Sequence, residues 1–212
     1  MSERFSSLDP DERETGLEAA REALRDGALV VMPTDTVYGI AADAFEPTAV
    51  AALLSAKGRG RHMPPPVLVA SNTTLDALAA RVEPYVHTLT DALWPGPLTV
   101  ICRQQESLVW DLGETRGTVA IRMPADETAL DLLRRTGPLA VSSANLTGHP
   151  AATTIEEAEE QLGDSVAVYL DGGPAGSGLP STIVDCTGER PRIVRTGAIT
   201  ATRIAELGVE VD

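Results

Sequence analysis

Two kinds of apolar stretch alternate along the chain, and most of them end at a glycine, a proline or a small polar cluster. Apolar residues three and four positions apart predict seven helices. The first begins at Pro10 and ends at Gly27, and four others cover 49–57, 84–93, 126–135 and 155–162. The remaining two are predicted from their first residues alone, with a cap at Ser71 or Asn72 and a cap at Thr200. Short continuous apolar runs predict buried strands, at 29–32, 67–70, 98–103, 118–124, 139–141, 165–170, 180–185 and 192–198. The alternation predicts an α/β fold, and the short links between the later strands indicate antiparallel pairs.

The pattern shows no internal repeat, linker or shift in composition, so a single domain is expected over 1–212. Hydrophobic residues make up 43% of the 212 positions and charged residues 23%, which is typical of a soluble globular protein. Cys102 and Cys186 lie singly in apolar runs, and we interpret them as buried side chains in a reducing compartment. Residues 1–5 lack an apolar signal region and the apolar runs are too short for a membrane span. We therefore expect a cytoplasmic protein without membrane contact.

The formal net charge of −14 limits the class of partner. A field of that sign repels phosphate backbones at long range, which disfavours tight non-specific binding of nucleic acid. Three cations nevertheless lie close together, at Lys57, Arg59 and Arg61, in a segment shaped by glycines and prolines. This cluster allows a locally positive pocket in an acidic protein. We expect Lys57 and Arg59 to lie in a solvated loop, where truncation leaves the fold intact.

Several predicted strands end in a polar or cationic cluster, and the ends of strands are where ligands bind in open α/β sheets. The clusters are Thr34-Asp35-Thr36, Arg122, Ser142-Ser143-Ala144-Asn145, Ser181-Thr182 and Arg195. If these strands share one sheet, the clusters converge with the loop cations on one cleft. Arginine binds a carboxylate or phosphate with two donors, and lysine adds a point charge. The expected ligand is a polyanion with hydrogen-bonding groups, such as a nucleotide triphosphate together with a small acid.

No feature of the sequence indicates covalent catalysis. Neither cysteine nor serine has a base partner in the sequence, no Walker-type loop is present, and His62, His87 and His149 are interpreted as surface residues. A reaction that depends on positioning and charge neutralisation fits best. Asp35 and Asp185 are acidic candidates for holding a divalent cation, but their spacing leaves the metal ligands unknown. The residues alone thus predict an α/β enzyme that binds a phosphorylated ligand.

Seven segments, in this order, resemble the YrdC-like family, the L-threonylcarbamoyladenylate synthases. They are PTDTVYG (33–39), KGR (57–59), PGPLT (95–99), AIRMP (120–124), SANLTG (143–148), PSTIVD (180–185) and RTGAI (195–199). Any one of them is weak evidence, but seven in the family order are specific and cover nearly the whole chain. The resemblance implies the short, single-domain form of the family, with a twisted, mixed parallel and antiparallel sheet, flanking helices and a concave cleft.

The resemblance also implies an activity. The substrates would be ATP, L-threonine and bicarbonate, with Mg²⁺ accompanying ATP, and the products threonylcarbamoyl-AMP and pyrophosphate. Partner proteins would transfer the threonylcarbamoyl group to adenosine in tRNA, and a weak contact with RNA or tRNA is a further expectation.

Roles follow from the resemblance position by position. Thr36, Arg122 and Ser181 would bind threonine, with Arg122 on its carboxylate. Lys57 and Arg59 would hold the triphosphate and act as the catalytic cations. The other residues expected on the nucleotide side are Thr118, Ser143, Asn145 and Arg195.

The chain departs from the family pattern at two places after the cationic loop. Where the family commonly has Asn-Pro-Leu, the closest alignment gives Pro65-Pro66-Val67, and Ala70 stands where a histidine is common. These departures motivate an alternative, a sister branch of the same fold that handles another nucleotide or small-acid substrate. A second alternative is a non-enzymatic RNA-binding module, against which the net charge argues.

Overall fold

The computed structural model describes residues 2–211 and folds them around one mixed sheet. The strands are β1 (Glu3–Ser6), β2 (Val30–Met32), β3 (Gly39–Asp43), β4 (Val67–Leu68), β5 (Ala79–Ala80), β6 (Leu98–Gln104), β7 (Thr118–Arg122), β8 (Leu139–Ser143), β9 (Val168–Asp171), β10 (Thr182–Asp185) and β11 (Arg192–Arg195). The helices are α1 (Pro10–Arg25), α2 (Pro47–Ala56), α3 (Asn72–Leu78), α4 (Pro84–Leu93), α5 (Glu127–Thr136), α6 (Ile155–Leu162) and α7 (Ala201–Ala205).

The strands are ordered β1-β9-β2-β3-β8-β4-β7-β6-β10-β11, with β5 paired to β6 at the side. Parallel pairs join β1 to β9, β9 to β2, β4 to β7 and β6 to β10, whereas the other neighbours pair antiparallel. The predicted α/β class with a mixed sheet and flanking helices is therefore confirmed. No helix within residues 2–211 is both long enough and apolar enough to cross a membrane.

The helix predictions hold because the capping residues act as expected. The Asp9 carboxylate accepts hydrogen bonds from the Asp11 and Glu12 amides at the start of α1, and Gly27 follows the helix at a φ of 79°. Helices α4 and α6 have the predicted bounds, and Thr200 caps α7. The Glu12 carboxylate accepts from the amide of Ser6 rather than from the cap residue, and so ties α1 to β1.

The sequence pattern missed three strands for physical reasons. The edge strand β1 is mostly solvated and pairs through its main chain with β9, more than 160 positions away. The alanine-rich β3 lies between β2 and β8 and has low intrinsic strand propensity. The two-residue β5 is too short to give a periodic signal. The strand predicted at 165–170 begins only at Val168, because Gly163–Ser165 forms a 3₁₀ turn.

Alternate residues of the central strands face different cores, as a period of two requires. Val30 and Met32 of β2 pack with α1 and α5, whereas Val31 packs on the opposite face with α2 and α6. A third cluster gathers α3, α4 and α7 against β6 and β10, and it includes Cys102 and Cys186, which are free and buried as predicted.

The same alternation produces the cleft. In β6, Leu98, Val100 and Cys102 enter the third cluster, whereas Thr99 and Ile101 face an open concavity. β7 and β10 contribute polar and apolar residues to that concavity in the same way, at positions that include Thr118, Ala120, Arg122 and Ile183.

Candidate functional site

A cleft of about 390 Å³ lies over the concave face of the sheet. Most of the predicted site residues line it, namely Thr36, Arg59, Thr118, Arg122, Ser143, Ser181 and Arg195. They come from six separated segments of the chain, which the sheet brings together. The predicted convergence of strand ends on one cleft is therefore confirmed, whereas the role of each residue stays a prediction.

The turn after β2 fixes the position of Thr36. The Thr34 hydroxyl donates to the carbonyl oxygen of Val37 at 2.6 Å and accepts from the amide of Thr36 at 3.2 Å. It also lies 3.0 Å from the Thr36 hydroxyl. Both threonines are buried, so this local network holds the Thr36 hydroxyl at the floor of the cleft.

Arg122, the last residue of β7, is held along the cleft floor by three partners. Its Nε donates to the Gly96 carbonyl at 3.1 Å, Nη1 to the Thr36 hydroxyl at 3.0 Å, and Nη2 to Asp35 Oδ1 at 2.5 Å. The guanidinium is buried, which lowers the pKa of Arg122, while the Asp35 carboxylate opposes that shift. An arginine fixed in this way presents its remaining donors in one orientation.

Ser181 and Arg195 form a second polar group at the start of β10. The Arg195 guanidinium donates to the Ser181 carbonyl at 2.8 Å and to the Ser181 hydroxyl at 3.0 Å. The Thr99 hydroxyl lies 2.8 Å from the same serine hydroxyl. Gly197 permits this arrangement, because a Cβ at that position would overlap the main chain of Pro180 and Ser181.

Arg59 reaches the cleft from the loop after α2. Its Nε donates to the Met63 carbonyl at 2.7 Å, and its Nη1 donates to the Ser142 hydroxyl on β8 at 2.8 Å. Ser143 follows on the same strand, and Pro64, Pro65 and Pro66 form the neighbouring wall. Thr118 and Thr115 also line the cleft, and the Thr118 hydroxyl donates to the Thr115 carbonyl at 2.8 Å.

Lys57 does not lie in a solvated loop, so that prediction is wrong. It is only 2% exposed and caps the end of α2. Its Nζ donates to the Ser143 carbonyl and, at 2.6 Å, to the Asn145 carbonyl. The Asn145 side chain in turn donates to the Leu146 and His149 carbonyls. Lys57 and Asn145 therefore lie behind the cleft wall and brace the segment that carries Ser143.

Other polar residues that the sequence singled out lie outside the cleft. Arg61 forms an exposed ion pair with Asp111 at 2.8 Å. Asp185 accepts hydrogen bonds from the amide and hydroxyl of Thr187 and from Arg192. His62 and His149 are exposed and His87 is partly exposed, which agrees with their interpretation as surface residues.

The cations share an electrostatic environment that favours a bound anion. Burial is the main cause that lowers the pKa of Arg59, Arg195 and Lys57, and for Lys57 the value is about 8. Repulsion is the second cause, from Arg195 on Arg59, from Arg122 on Arg195 and from Arg59 on Lys57. An anion between these groups would relieve both penalties.

Sequence reasoning missed Thr99 as a site residue, and it named Ser142 within a polar cluster without assigning it a role. Thr99 is a polar residue in an otherwise apolar strand and out of phase with the core positions Leu98 and Val100, which was the available signal. Ser142 contacts Arg59 across 83 positions of sequence, a pairing that no local pattern reveals. The departures Pro65 and Pro66 lie in the cleft wall, whereas Ala70 packs against the core of α1 and α5.

Comparisons with known proteins agree on one family. The Sua5/YciO/YrdC family model, described as "Telomere recombination", matches residues 22–197. A Mycobacterium tuberculosis (strain H37Rv) protein, provisionally named threonylcarbamoyl-AMP synthase, is 54% identical over 99% of this chain and 97% of its own length. The threonylcarbamoyl-AMP synthase of Bacillus subtilis (strain 168) is 36% identical over 96% of this chain.

Among solved structures, Pyrococcus abyssi Sua5 complexed with L-threonine is similar with a TM-score of 0.91 and 31% identity. The match covers 100% of this chain and 62% of the Pyrococcus chain, and this chain covers 58% of the Bacillus protein. The present chain thus corresponds to nearly the full length of the mycobacterial protein and to about 60% of the two longer relatives.

Proposed function

The chain belongs to the Sua5/YciO/YrdC family and is a threonylcarbamoyl-AMP synthase, and from this premise we propose how its cleft performs the reaction. The observation that carries the proposal is the convergence of Arg59, Arg122 and Arg195 with several hydroxyls on one concavity. Two anionic substrates must meet there, and their mutual repulsion is the main barrier that these cations offset.

The threonine subsite lies at Arg122. Three of the five guanidinium N–H groups bind Gly96, Thr36 and Asp35, which leaves two for the substrate carboxylate. The hydroxyls of Thr36 and Ser181 are within the same cleft and suit the amino and hydroxyl groups of threonine. The complex of the Pyrococcus relative with L-threonine supports a threonine subsite in this fold.

The nucleotide occupies the remainder of the cleft. Arg59 and Arg195 are placed to neutralise the triphosphate, with Ser143 and Thr118 as hydrogen-bonding partners. Ile101, Leu112 and the proline wall supply apolar surface for the base. Lys57 contributes its charge from behind the wall and, with Asn145, keeps Ser143 in place.

The chemistry requires no protein nucleophile. The threonine amine attacks the carbon of bicarbonate, and loss of water gives a carbamate anion. A carbamate oxygen then attacks the α-phosphorus, and the bond from that phosphorus to the β-phosphate bridging oxygen breaks as pyrophosphate leaves. Arg122 holds one reactant by its carboxylate, while Arg59 and Arg195 stabilise the charge that develops on the phosphates.

Magnesium enters as part of the MgATP substrate. Residues 2–211 contain no group of three His, Cys, Asp or Glu residues that could hold a metal ion. Mg²⁺ commonly takes its ligands from phosphate oxygens and water, with few from the protein. Asp35 and Asp185 are both engaged by arginines, so the triphosphate is the main source of ligands in this proposal.

Threonylcarbamoyl-AMP is a reactive mixed anhydride and must be consumed promptly. We therefore propose that separate transfer proteins take it up for tRNA modification in the cytoplasm. The acidic surface makes any direct contact of this chain with tRNA weak.

Pyrophosphate release from MgATP tests the proposal when threonine and bicarbonate are each omitted in turn. Release should require both, and Arg122→Ala should raise the KM for threonine far more than the KM for MgATP. Arg59→Ala should show the reverse preference. Release that is independent of threonine would contradict the assignment of the substrate.

A further inference from the structure

Asp35 is the only carboxylate, among residues 2–211, that forms an ion pair with the cation cluster of Lys57, Arg59, Arg122 and Arg195. Its partner is Arg122, at 2.5 Å, and the side chains of both residues are largely buried. Arg59 and Arg195 instead donate to carbonyl and hydroxyl oxygens. The cluster therefore contains one neutralised arginine next to two that keep their charge.

Hydrogen bonding alone does not account for a carboxylate at this position. Asp35 Oδ1 accepts from Arg122 and from the Ala125 amide at 3.0 Å. Oδ2 is buried and accepts no hydrogen bond from the described residues. An asparagine oxygen could accept the same two bonds, so the property that only aspartate supplies here is its negative charge. A buried carboxylate oxygen without a partner is also costly, which indicates a role beyond packing.

We propose that Asp35 determines which anion each arginine of the cleft accepts. By cancelling the charge of Arg122, it removes the attraction for multiply charged phosphate but leaves two N–H donors in the geometry that a carboxylate fits. Phosphate groups then go to Arg59 and Arg195, and the threonine carboxylate goes to Arg122. Asp35 is thus a specificity-determining residue that acts through Arg122, and this inference rests on the proposed function.

Inhibition by inorganic phosphate tests the inference. In the wild-type enzyme, phosphate should compete with MgATP but not with threonine. In Asp35→Asn, which keeps the acceptor and removes the charge, phosphate should also compete with threonine. The inhibition constant of phosphate against threonine in this variant should lie at least about tenfold below the highest phosphate concentration that fails to compete with threonine in the wild type. The reason is that removing a negative charge in direct contact with Arg122 strengthens anion binding by that factor or more. The KM for threonine should change less than the phosphate constant.

Asp131→Asn is the control, because Asp131 forms an ion pair with Arg13 at 2.6 Å between α1 and α5, outside the cleft and more exposed than the pair of Asp35 and Arg122. It should leave the inhibition pattern as in the wild type. Asp35→Ala removes the same charge without burying an amide group. It replaces Asp35→Asn as the test variant if Asp35→Asn does not fold.

Two results would overturn the inference. One is phosphate competing with threonine in the wild type, which needs no variant. The other is folded Asp35 variants with the wild-type pattern. If instead wild-type turnover does not require threonine, or Arg122→Ala leaves threonine binding unchanged, the proposed function itself fails.

Discussion

Lys57 and Arg61 belong to the same cationic segment, yet their side chains have opposite surroundings. Lys57 is 2% exposed and donates to two carbonyls, whereas the Arg61 side chain is 54% exposed in a surface ion pair. Lys57→Ala should therefore lower the free energy of unfolding by about 2–4 kcal/mol, through lost charge-assisted hydrogen bonds and a cavity. Arg61→Ala should cost less than about 1 kcal/mol. Urea denaturation measures both, and equal stability of the two variants would contradict the bracing role of Lys57.

The protonation of Lys57 predicts a pH dependence of stability. Burial lowers the pKa of Lys57 to about 8, from a usual value of 10.5. Between these values the unfolded chain holds a proton that the folded chain has lost, so stability rises with pH in that window. Below the window both states hold the proton, and this group adds no pH dependence. The wild type should gain about 2 kcal/mol relative to Lys57→Met between about pH 7.5 and about pH 10. Tyrosine and cysteine titrations occur in both proteins and cancel in the difference.

Local sequence predicted which residues reach the cleft better than it predicted how they are held. Thr36 follows β2, Arg122 ends β7 and Ser181 directly precedes β10, so their place at strand ends could be inferred from the pattern. The burial of Lys57 could not be inferred, because its acceptors lie more than 80 positions away. A lysine followed by Gly58 and Gly60 in an acidic protein has the local signature of a solvated loop.

At the level of elements, the hydroxyl of Tyr38 helps to hold the glycine-rich segment 172–178 in its position. Tyr38 is fully buried, and its hydroxyl donates to the Gly173 carbonyl at 2.6 Å and accepts from the Gly172 amide at 3.0 Å. Further along, the Gly178 amide donates to the Thr36 carbonyl at 3.1 Å, and a Cβ at Gly176 would overlap the main chain of Asp35. The segment is therefore fastened directly over the turn that carries Thr36.

Tyr38→Phe should release this segment. The expected loss of stability is about 1–2 kcal/mol, with faster amide hydrogen exchange at 172–178 and a higher KM for threonine. Tyr169→Phe is the control, because Tyr169 lies in the same core cluster and its hydroxyl also donates to a carbonyl, that of Gly163 at 2.8 Å, which is outside the segment 172–178. If both variants changed exchange at 172–178 equally, the phenol of Tyr38 would have no specific role there.

Helices that begin at a capping residue were predicted from the sequence, whereas strands that form through pairing with distant segments were not. The helices begin at Asp9, Asp126, Thr154 and Thr200, whose side chains accept the first free amides. These signals lie within a few residues of each helix start. Strands β1 and β3 depend on pairing with β9 and β8, and their own sequences carry little apolar alternation.

For the molecule as a whole, one sheet couples the three core clusters. Adjacent residues of a strand belong to different clusters, as Val67 and Leu68 do in β4 and Leu139 and Ala140 do in β8. Ala41 and Ala42 of β3 are divided in the same way. If the strands that serve one cluster unfolded, the side chains of a neighbouring cluster would be exposed to solvent. The single domain expected from the sequence should therefore unfold as one unit.

Urea unfolding followed by two probes tests this expectation. Trp94 is buried in the cluster of α3, α4 and α7, so its fluorescence reports that cluster alone, whereas far-UV circular dichroism reports all the helices. The two transitions should coincide in midpoint and slope. Trp110 is partly exposed and stacks on Phe45 at 5.4 Å, so Trp110→Phe removes its signal and leaves Trp94 as the reporter. A fluorescence transition at lower urea than the dichroism transition would show that this cluster unfolds separately, and the chain would then contain two units despite its continuous sheet.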